Sequence, residues 1–132
     1  MKNILILCTG NSCRSIIAEA LINKELGDRA IAQSSGTNPS GRVNPNAQKV
    51  LMAYGAWRES YHSKVLDEVM ETEYDLVVTV CDNAKESCPI FPKDTEVIHV
   101  GFEDPDGKEY EAFIHTYEEI KSVLLPIIES KM

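Results

Sequence analysis

Short apolar runs alternate along the chain with longer stretches whose apolar residues recur at helical spacing. The apolar runs predict four strands, over residues 4–7, 30–34, 75–80 and 96–100. The helical spacing predicts helices over residues 15–26, 44–54 and 110–129, with a short helical piece around 66–71. Strands joined through helices favour right-handed crossovers. The expected fold class is therefore α/β, a four-stranded parallel sheet with helices on both faces.

A proline and a loop-like stretch interrupt this pattern of strands and helices. Pro126 lies inside the last predicted helix and should bend it or fray its final turn. Residues 35–41 are rich in Ser, Gly, Asn and Pro, a composition typical of a loop. No repeat or linker-like stretch divides the 132 residues, so we expect a single domain over 1–132.

Two cysteines lie where predicted strands end. Cys8 directly follows the first strand, and Cys81 directly follows the third. In open parallel sheets, ligands bind beyond the carboxyl ends of the strands. We therefore expect both thiols on the same edge of the sheet, where function is concentrated.

Charge and hydropathy narrow the possible partners. The formal net charge is −8 and the pI is near 4.8, which argues against a nucleic-acid binder because such proteins carry a basic face. No apolar run approaches the roughly 18 residues of a membrane span, and the first run is too short for a secretory signal. We expect a cytoplasmic monomer without a membrane partner, in a compartment where cysteines usually serve catalysis or metal binding.

The eight residues from Cys8 to Ser15 place a thiol, small polar residues and an arginine between a strand and a helix. The dipole of the following helix should lower the pKa of Cys8 and favour its thiolate. Gly10 should permit a tight turn in which backbone N–H groups point inward toward an anion. Arg14 can place two donors on a tetrahedral oxyanion, and Ser15 can cap the helix or donate to the Cys8 sulfur.

These properties predict an oxyanion-binding loop with Cys8 as its nucleophile. The predicted binding residues are Thr9, Gly10, Asn11, Ser12, Cys13, Arg14 and Ser15. The alternative is an ordinary strand–turn–helix joint that contains Cys and Arg by chance. The strand before the loop and the amphipathic helix after it favour the functional interpretation.

The segment Cys8-Thr9-Gly10-Asn11-Ser12-Cys13-Arg14 resembles the phosphate-binding loop of low-molecular-weight protein tyrosine phosphatases and of the arsenate reductases built on the same fold. The resemblance covers essentially the whole chain and implies a low-molecular-weight phosphatase-like (flavodoxin-like) fold. It also implies that Asp104, in Asp104-Pro105, is the general acid that protonates the leaving oxygen. The alternative for Asp104 is a solvated acidic turn. Asp106 stands where the tyrosine phosphatases usually carry Tyr.

Cys81 and Cys88 are separated by six residues, and together with Cys8 they resemble the thioredoxin-coupled arsenate reductases. That resemblance implies that Cys8 attacks arsenate, that Cys81 then attacks Cys8 and releases arsenite, and that Cys88 moves the disulfide to Cys81–Cys88. Thioredoxin would supply the reducing equivalents, and no cofactor would be required. Phosphate or sulfate would bind as analogues of arsenate.

Other interpretations of the cysteines stay open at this point. A low-molecular-weight tyrosine phosphatase would act through a Cys8 phosphoenzyme with Asp104 as acid, and would need neither Cys81 nor Cys88. An oxyanion or thiol-redox sensor would bind without turnover. The structural alternative for Cys81 and Cys88 is two buried, inert thiols. A zinc site made by all four cysteines is disfavoured by gaps of four and six residues.

Some relatives bind a potassium ion beneath the loop, and Asn11, Glu19 and Ser34 match ligand positions there. Val65 departs from that pattern, because an acidic residue would be expected at its position. The resemblance therefore implies a candidate potassium site, although oxygen ligands alone would not select potassium over other hard cations.

Overall fold

The computed structural model describes residues 1–81, 91 and 95–132. Its four strands are β1 (Lys2–Cys8), β2 (Ala30–Gly36), β3 (Leu76–Thr79) and β4 (Glu96–His99). They form one parallel sheet in the order β2-β1-β3-β4. The helices described are α1 (Arg14–Glu25), α2 (Pro45–Ala53) and α3 (Tyr110–Lys131), with a 3-10 turn at Leu66–Glu68. The predicted α/β class with a four-stranded parallel sheet is confirmed.

Strand β1 lies at the centre of the sheet, between β2 and β3. Residues 4–7 are at most 1% exposed because both faces of a central parallel strand are covered. Ile6 pairs with Ser34 of β2 and with Val78 of β3. This covered position explains why β1 is a continuous apolar run, and it places Cys8 at the carboxyl edge of the sheet.

Two element ends near this edge depend on contacts that sequence periodicity does not show. Strand β2 extends through Gly36, beyond its predicted end, because Gly36 pairs with Cys8 and bridges to Val65. Helix α2 begins at Pro45 after Asn44, whose side chain accepts the N–H of Asn46 at 2.8 Å. An N-cap oxygen followed by Pro in the first turn is a typical helix start.

Helix α3 packs against both other helices. Its buried apolar residues include Phe113, Tyr117, Ile120, Leu124, Leu125 and Ile128. The helix continues through Pro126 to Lys131, so the predicted fraying at Pro126 is wrong. Pro126 is exposed, and the buried side chains on either side of it hold these turns against the core.

No helix in the described part of the chain is both long and apolar enough to cross a membrane.

Candidate active site

Three segments bring predicted catalytic residues to the carboxyl edge of the sheet. Cys8 ends β1, Cys81 follows β3 and Asp104 lies beyond β4. The thiols of Cys8 and Cys81 are close enough to influence each other, and Thr9 Oγ1 lies 3.1 Å from Cys81 Sγ. A pocket beside them is lined by Arg14, Cys81, Gly101 and Phe102. The remaining predicted catalytic residue, Cys88, lies outside the described residues.

The carbonyl groups of the loop formed by residues 8–14 (the 8–14 loop) point toward a neighbouring segment. The carbonyl oxygens of Cys8, Thr9, Gly10 and Ser12 accept hydrogen bonds of 2.9–3.0 Å from the N–H groups of Thr37, Asn38, Ser40 and Asn44, respectively. A trans peptide places its N–H opposite its C=O, so the N–H groups of residues 9, 10, 11 and 13 point the other way. The N–H of Asn11 donates to Cys8. Converging amides of this kind bind anions.

Asn11 supplies the unusual backbone conformation of the loop. Its φ of 49° is in the left-handed region, which Asn adopts more readily than most residues. The buried Asn11 Nδ2 donates to Ser15 Oγ at 2.7 Å and to Ser34 Oγ at 3.0 Å, and Asn11 Oδ1 accepts the N–H of Lys64 at 2.9 Å. The left-handed residue of this turn is therefore Asn11 and not Gly10, because three side-chain hydrogen bonds hold Asn11 in place.

Helix α1 begins without a side-chain cap. Its N-cap residue is Cys13, and no side chain of the described residues bonds to the first N–H groups of the helix. The predicted capping by Ser15 is wrong, since Ser15 lies inside the first turn and its Oγ accepts from Asn11. The uncapped turn adds N–H donors and a favourable dipole for negative charge next to the loop.

Arg14 connects the 8–14 loop to the segment after β4. Its Nη1 donates to the carbonyl oxygen of Phe102 at 3.1 Å, and its Nη2 lies 3.4 Å from Asp104 Oδ2. Its Nε is buried and lacks a hydrogen-bond partner among the described residues. A buried donor without an acceptor costs free energy. A bound oxyanion that accepts a hydrogen bond from Nε would therefore remove this free-energy cost.

Asp104 combines an accessible carboxyl group with a fixed orientation. Its side chain is 52% exposed, and its Oδ1 accepts the N–H of Asp106 at 3.0 Å. Asp106 Oδ1 in turn accepts from Asn44 Nδ2 at 2.8 Å, which ties the acidic turn to the start of α2. A carboxyl group held in this way beside Arg14 can exchange a proton with a group bound in the loop.

The predicted lowering of the Cys8 pKa is wrong for the described arrangement. The hydrogen bond with Cys81 and the burial of the thiol raise the pKa of Cys8, while the charge of Arg14 and the N–H of Asn11 lower it. Together, the second thiol and burial outweigh the positive surroundings. Burial also raises the pKa of Cys13 to about 12, which keeps the Cys13 thiol protonated near neutral pH.

The three residues matched to potassium ligands lie together beneath the loop. Ser34 Oγ accepts from Asn11 Nδ2 and donates to Glu19 Oε1 at 2.5 Å. The buried ammonium group of Lys64 lies 3.8 Å from the same Glu19 oxygen. The cluster matched to a potassium site therefore already contains one positive charge, that of Lys64. In the described ranges no group of three or more His, Cys, Asp or Glu residues could hold a metal ion.

Three further contributions to the site were not predicted from the sequence. A Cβ on Gly36 would lie 2.5 Å from the carbonyl oxygen of Thr9, so only glycine fits where β2 passes the loop. Ser63 Oγ donates to the carbonyl oxygen of Gly10 at 3.0 Å, and the Phe102 carbonyl holds a guanidinium nitrogen. Only the position of Gly36 could have been found from the sequence, because pairing of the first two predicted strands places the end of the second beside the loop. No residue pattern marks a backbone carbonyl as a partner.

A parallel sheet that delivers a buried cysteine into a loop of converging N–H groups is typical of enzymes that attack oxyanions through a thiol. The model of the low molecular weight phosphotyrosine protein phosphatase family matches residues 3–130, and the chain belongs to that family. The family predicted from the sequence is confirmed.

Relatives of this chain carry two different activities in their names. An arsenate reductase of Bacillus cereus is 43% identical over 119 residues, which cover 90% of this chain and 88% of the relative. A crystal structure of an arsenate reductase from Archaeoglobus fulgidus is 29% identical, with a TM-score of 0.79 and coverage of 96% of this chain and 98% of that chain. A low molecular weight protein tyrosine phosphatase from T. tengcongensis is 27% identical, with a TM-score of 0.82 and coverage of 98% and 99%.

Proposed function

We propose that this protein reduces arsenate to arsenite. The observation that supports the proposal is a second thiol beside the 8–14 loop: Cys81 Sγ lies 3.1 Å from Thr9 Oγ1 and close enough to Cys8 to influence its thiol. Hydrolysis of a phosphate ester needs one nucleophile, whereas reduction of arsenate needs two electrons, which two thiols supply when they form a disulfide. The relative of Bacillus cereus, 43% identical and named arsenate reductase, supports the same conclusion.

The first step uses the loop and the acid. The Cys8 thiol passes its proton to an arsenate oxygen as its sulfur bonds to arsenic(V), while the loop N–H groups and Arg14 Nε stabilise the remaining oxygens. One arsenate oxygen leaves as water after protonation by Asp104. The product of this step is a covalent Cys8 thiol–arsenate adduct.

The second step transfers the electrons. The Cys81 sulfur attacks the Cys8 sulfur, the S–As bond breaks, and its electron pair stays on arsenic, which leaves as arsenite. Two thiols have lost two electrons to form the Cys8–Cys81 disulfide, and arsenic has gained two. Cys88 then attacks Cys81, which frees Cys8 and leaves a Cys81–Cys88 disulfide. Thioredoxin reduces that disulfide, so the proposed cycle belongs in the reducing cytoplasm.

The alternative function, hydrolysis of phosphate monoesters, would use the same loop, nucleophile and acid. A phosphate monoester would be hydrolysed through a Cys8 phosphoenzyme, with Asp104 protonating the leaving oxygen. Weak activity on an aryl phosphate is therefore compatible with both functions and does not distinguish them. The role of Cys81 does distinguish them, because only reduction consumes its thiol.

The test is arsenate-dependent oxidation of NADPH in the presence of thioredoxin and thioredoxin reductase. The wild-type protein should turn over repeatedly. Cys81→Ser should release no arsenite, while Cys88→Ser should release one equivalent and stop with a Cys8–Cys81 disulfide, identified by mass spectrometry of non-reduced peptides. Ser122→Ala, on an exposed position of α3, is the control and should match the wild type.

Three outcomes would contradict the proposal. Repeated turnover by Cys88→Ser with thioredoxin would exclude the relay. Efficient hydrolysis of aryl phosphates without arsenate-dependent NADPH oxidation would favour the phosphatase. Release of at most one equivalent of arsenite by the wild type, with all reductants present, would indicate a sensor rather than an enzyme.

A further inference from the structure

A closed ring of interactions lies beneath the 8–14 loop. The N–H of Lys64 donates to Asn11 Oδ1 at 2.9 Å, Asn11 Nδ2 donates to Ser34 Oγ at 3.0 Å, and Ser34 Oγ donates to Glu19 Oε1 at 2.5 Å. Lys64 Nζ, 3.8 Å from that Glu19 oxygen, closes the ring. We call these four residues the Asn11 ring. Lys64 enters it twice, through its backbone and through its side chain.

The Asn11 ring contains a buried negative charge that needs a buried positive one. Glu19 is 5% exposed and Lys64 is 7% exposed. Taking a carboxylate out of water is costly unless a cation accompanies it. Burial raises the pKa of Glu19, and Lys64 is the largest influence that opposes this rise, followed by the Ser34 hydroxyl and the charges of His62 and Arg58. Lys64 is thus the principal counter-ion of Glu19.

The oxygens of the ring already make hydrogen bonds within it, but each keeps a lone pair, so a metal ion would be opposed by the charge of Lys64 rather than by a lack of ligand atoms. Asn11 Oδ1 accepts the Lys64 N–H, and Ser34 Oγ both accepts from Asn11 and donates to Glu19. Lys64 Nζ also donates to the carbonyl oxygen of His62 at 3.2 Å, which directs the ammonium group into the space beside Glu19. A second cation here would meet a like charge within a few ångströms.

We propose that the Lys64 ammonium group is a built-in monovalent cation for the Asn11 ring, so that this protein holds its oxyanion loop without taking up potassium there. Lys64 is a positioning residue, because it acts on the loop through Asn11 and Glu19. Removing its charge converts the ring into a site for a monovalent metal ion. The proposal does not depend on the substrate of Cys8, and its test uses no arsenate.

The test compares thermal unfolding midpoints (Tm) in potassium chloride, sodium chloride and tetramethylammonium chloride at equal ionic strength. The wild-type Tm should not rise specifically with potassium. Lys64→Met keeps the length of the side chain but removes its charge, and should lower Tm by roughly 10 °C. Potassium, but not the bulky tetramethylammonium ion, should restore part of that loss in a saturable way.

The matched variant is Lys64→Met combined with Glu19→Gln, which removes both charges. It should recover most of the Tm lost in Lys64→Met and show no response to potassium, because no buried carboxylate is left to pair.

Each contrary result overturns the proposal. A saturable, potassium-specific rise in the wild-type Tm would show that potassium binds beside Lys64. If Lys64→Met has the same Tm as the wild type, or if the double variant loses as much Tm as Lys64→Met, the charge of Lys64 does not stabilise the ring and Lys64 contributes packing alone. A Lys64→Met protein that ignores every cation would show that the ring is not a cation site. If Lys64→Met does not fold, the wild type and the double variant still decide the question.

Discussion

Replacing Gly36 by Ala tests how closely β2 passes the 8–14 loop. The added Cβ would lie 2.5 Å from the Thr9 carbonyl oxygen, 3.1 Å from Asn11 Cβ and 3.2 Å from Pro39 Cα. Relief of the closest contact requires a movement of about 1 Å. Thr9 cannot move alone, because its carbonyl oxygen accepts the N–H of Asn38 at 3.0 Å.

The size of the effect follows from what the new methyl group meets. Overpacking costs about 1–3 kcal/mol, and we expect about 2–3 kcal/mol because the closest atom belongs to the backbone rather than to a flexible side chain. For a chain of this length that corresponds to a fall of roughly 10 °C in Tm. A displacement of about 1 Å in the loop should also lower kcat/KM by about 100-fold.

Urea denaturation followed by circular dichroism measures the first effect, and steady-state kinetics the second. Gly10→Ala is the matched control for stability. A Cβ on Gly10 meets nothing closer than Ser12 Oγ at 3.5 Å, and Gly10 is not at positive φ, so its replacement should be neutral or stabilising by up to about 1 kcal/mol. A Gly36→Ala protein as stable as the wild type, or an equal loss of stability in both variants, would show that the predicted clash does not occur.

Three further predictions follow from the site and the core. Cys81→Ala should shift the midpoint of Cys8 alkylation by iodoacetamide to lower pH, because the Cys81 hydrogen bond is the largest influence that raises the Cys8 pKa; an unchanged midpoint would contradict this. Arg14→Lys should weaken inhibition by phosphate about 10- to 100-fold, since an ammonium group lacks the planar fork of donors, and an unaltered inhibition constant would count against it. Phe113→Ala should lower the free energy of unfolding by about 3–5 kcal/mol in urea titrations, because Phe113 is fully buried; a loss under about 1 kcal/mol would show that the site repacks.

Hydrophobic periodicity located the four strands and the three helices that the structure describes, with differences only at their ends. Strand β1 was predictable because burial on both faces leaves no polar position in its centre. The end of β2 could not be predicted, because Ser34 to Gly36 are polar or small and yet buried. They are held there by pairing with β1 and by the contact of Gly36 with the loop.

Residue types in the candidate site could be predicted, but their partners could not. The loop chemistry follows from Cys8, Arg14 and the small residues between them. The ion pair of Glu19 with Lys64 joins positions far apart in sequence, and no local pattern distinguishes a buried lysine from an exposed one. The direction of the Cys8 pKa shift likewise depends on a contact with Cys81, which exists only once β1 and β3 are paired.

The outward-facing carbonyl groups of the 8–14 loop limit what its sequence can do by itself. Four of these carbonyls are held by N–H groups from residues 37–44, and one of the four also by the Ser63 hydroxyl. Transplanting the seven residues into another strand–helix joint would therefore leave those carbonyls free to turn inward, where they would repel an oxyanion. For protein engineering, the unit that must be transferred consists of three separate segments: the 8–14 loop, residues 36–44 and residues 63–64. A graft that contains the loop alone should bind no anion.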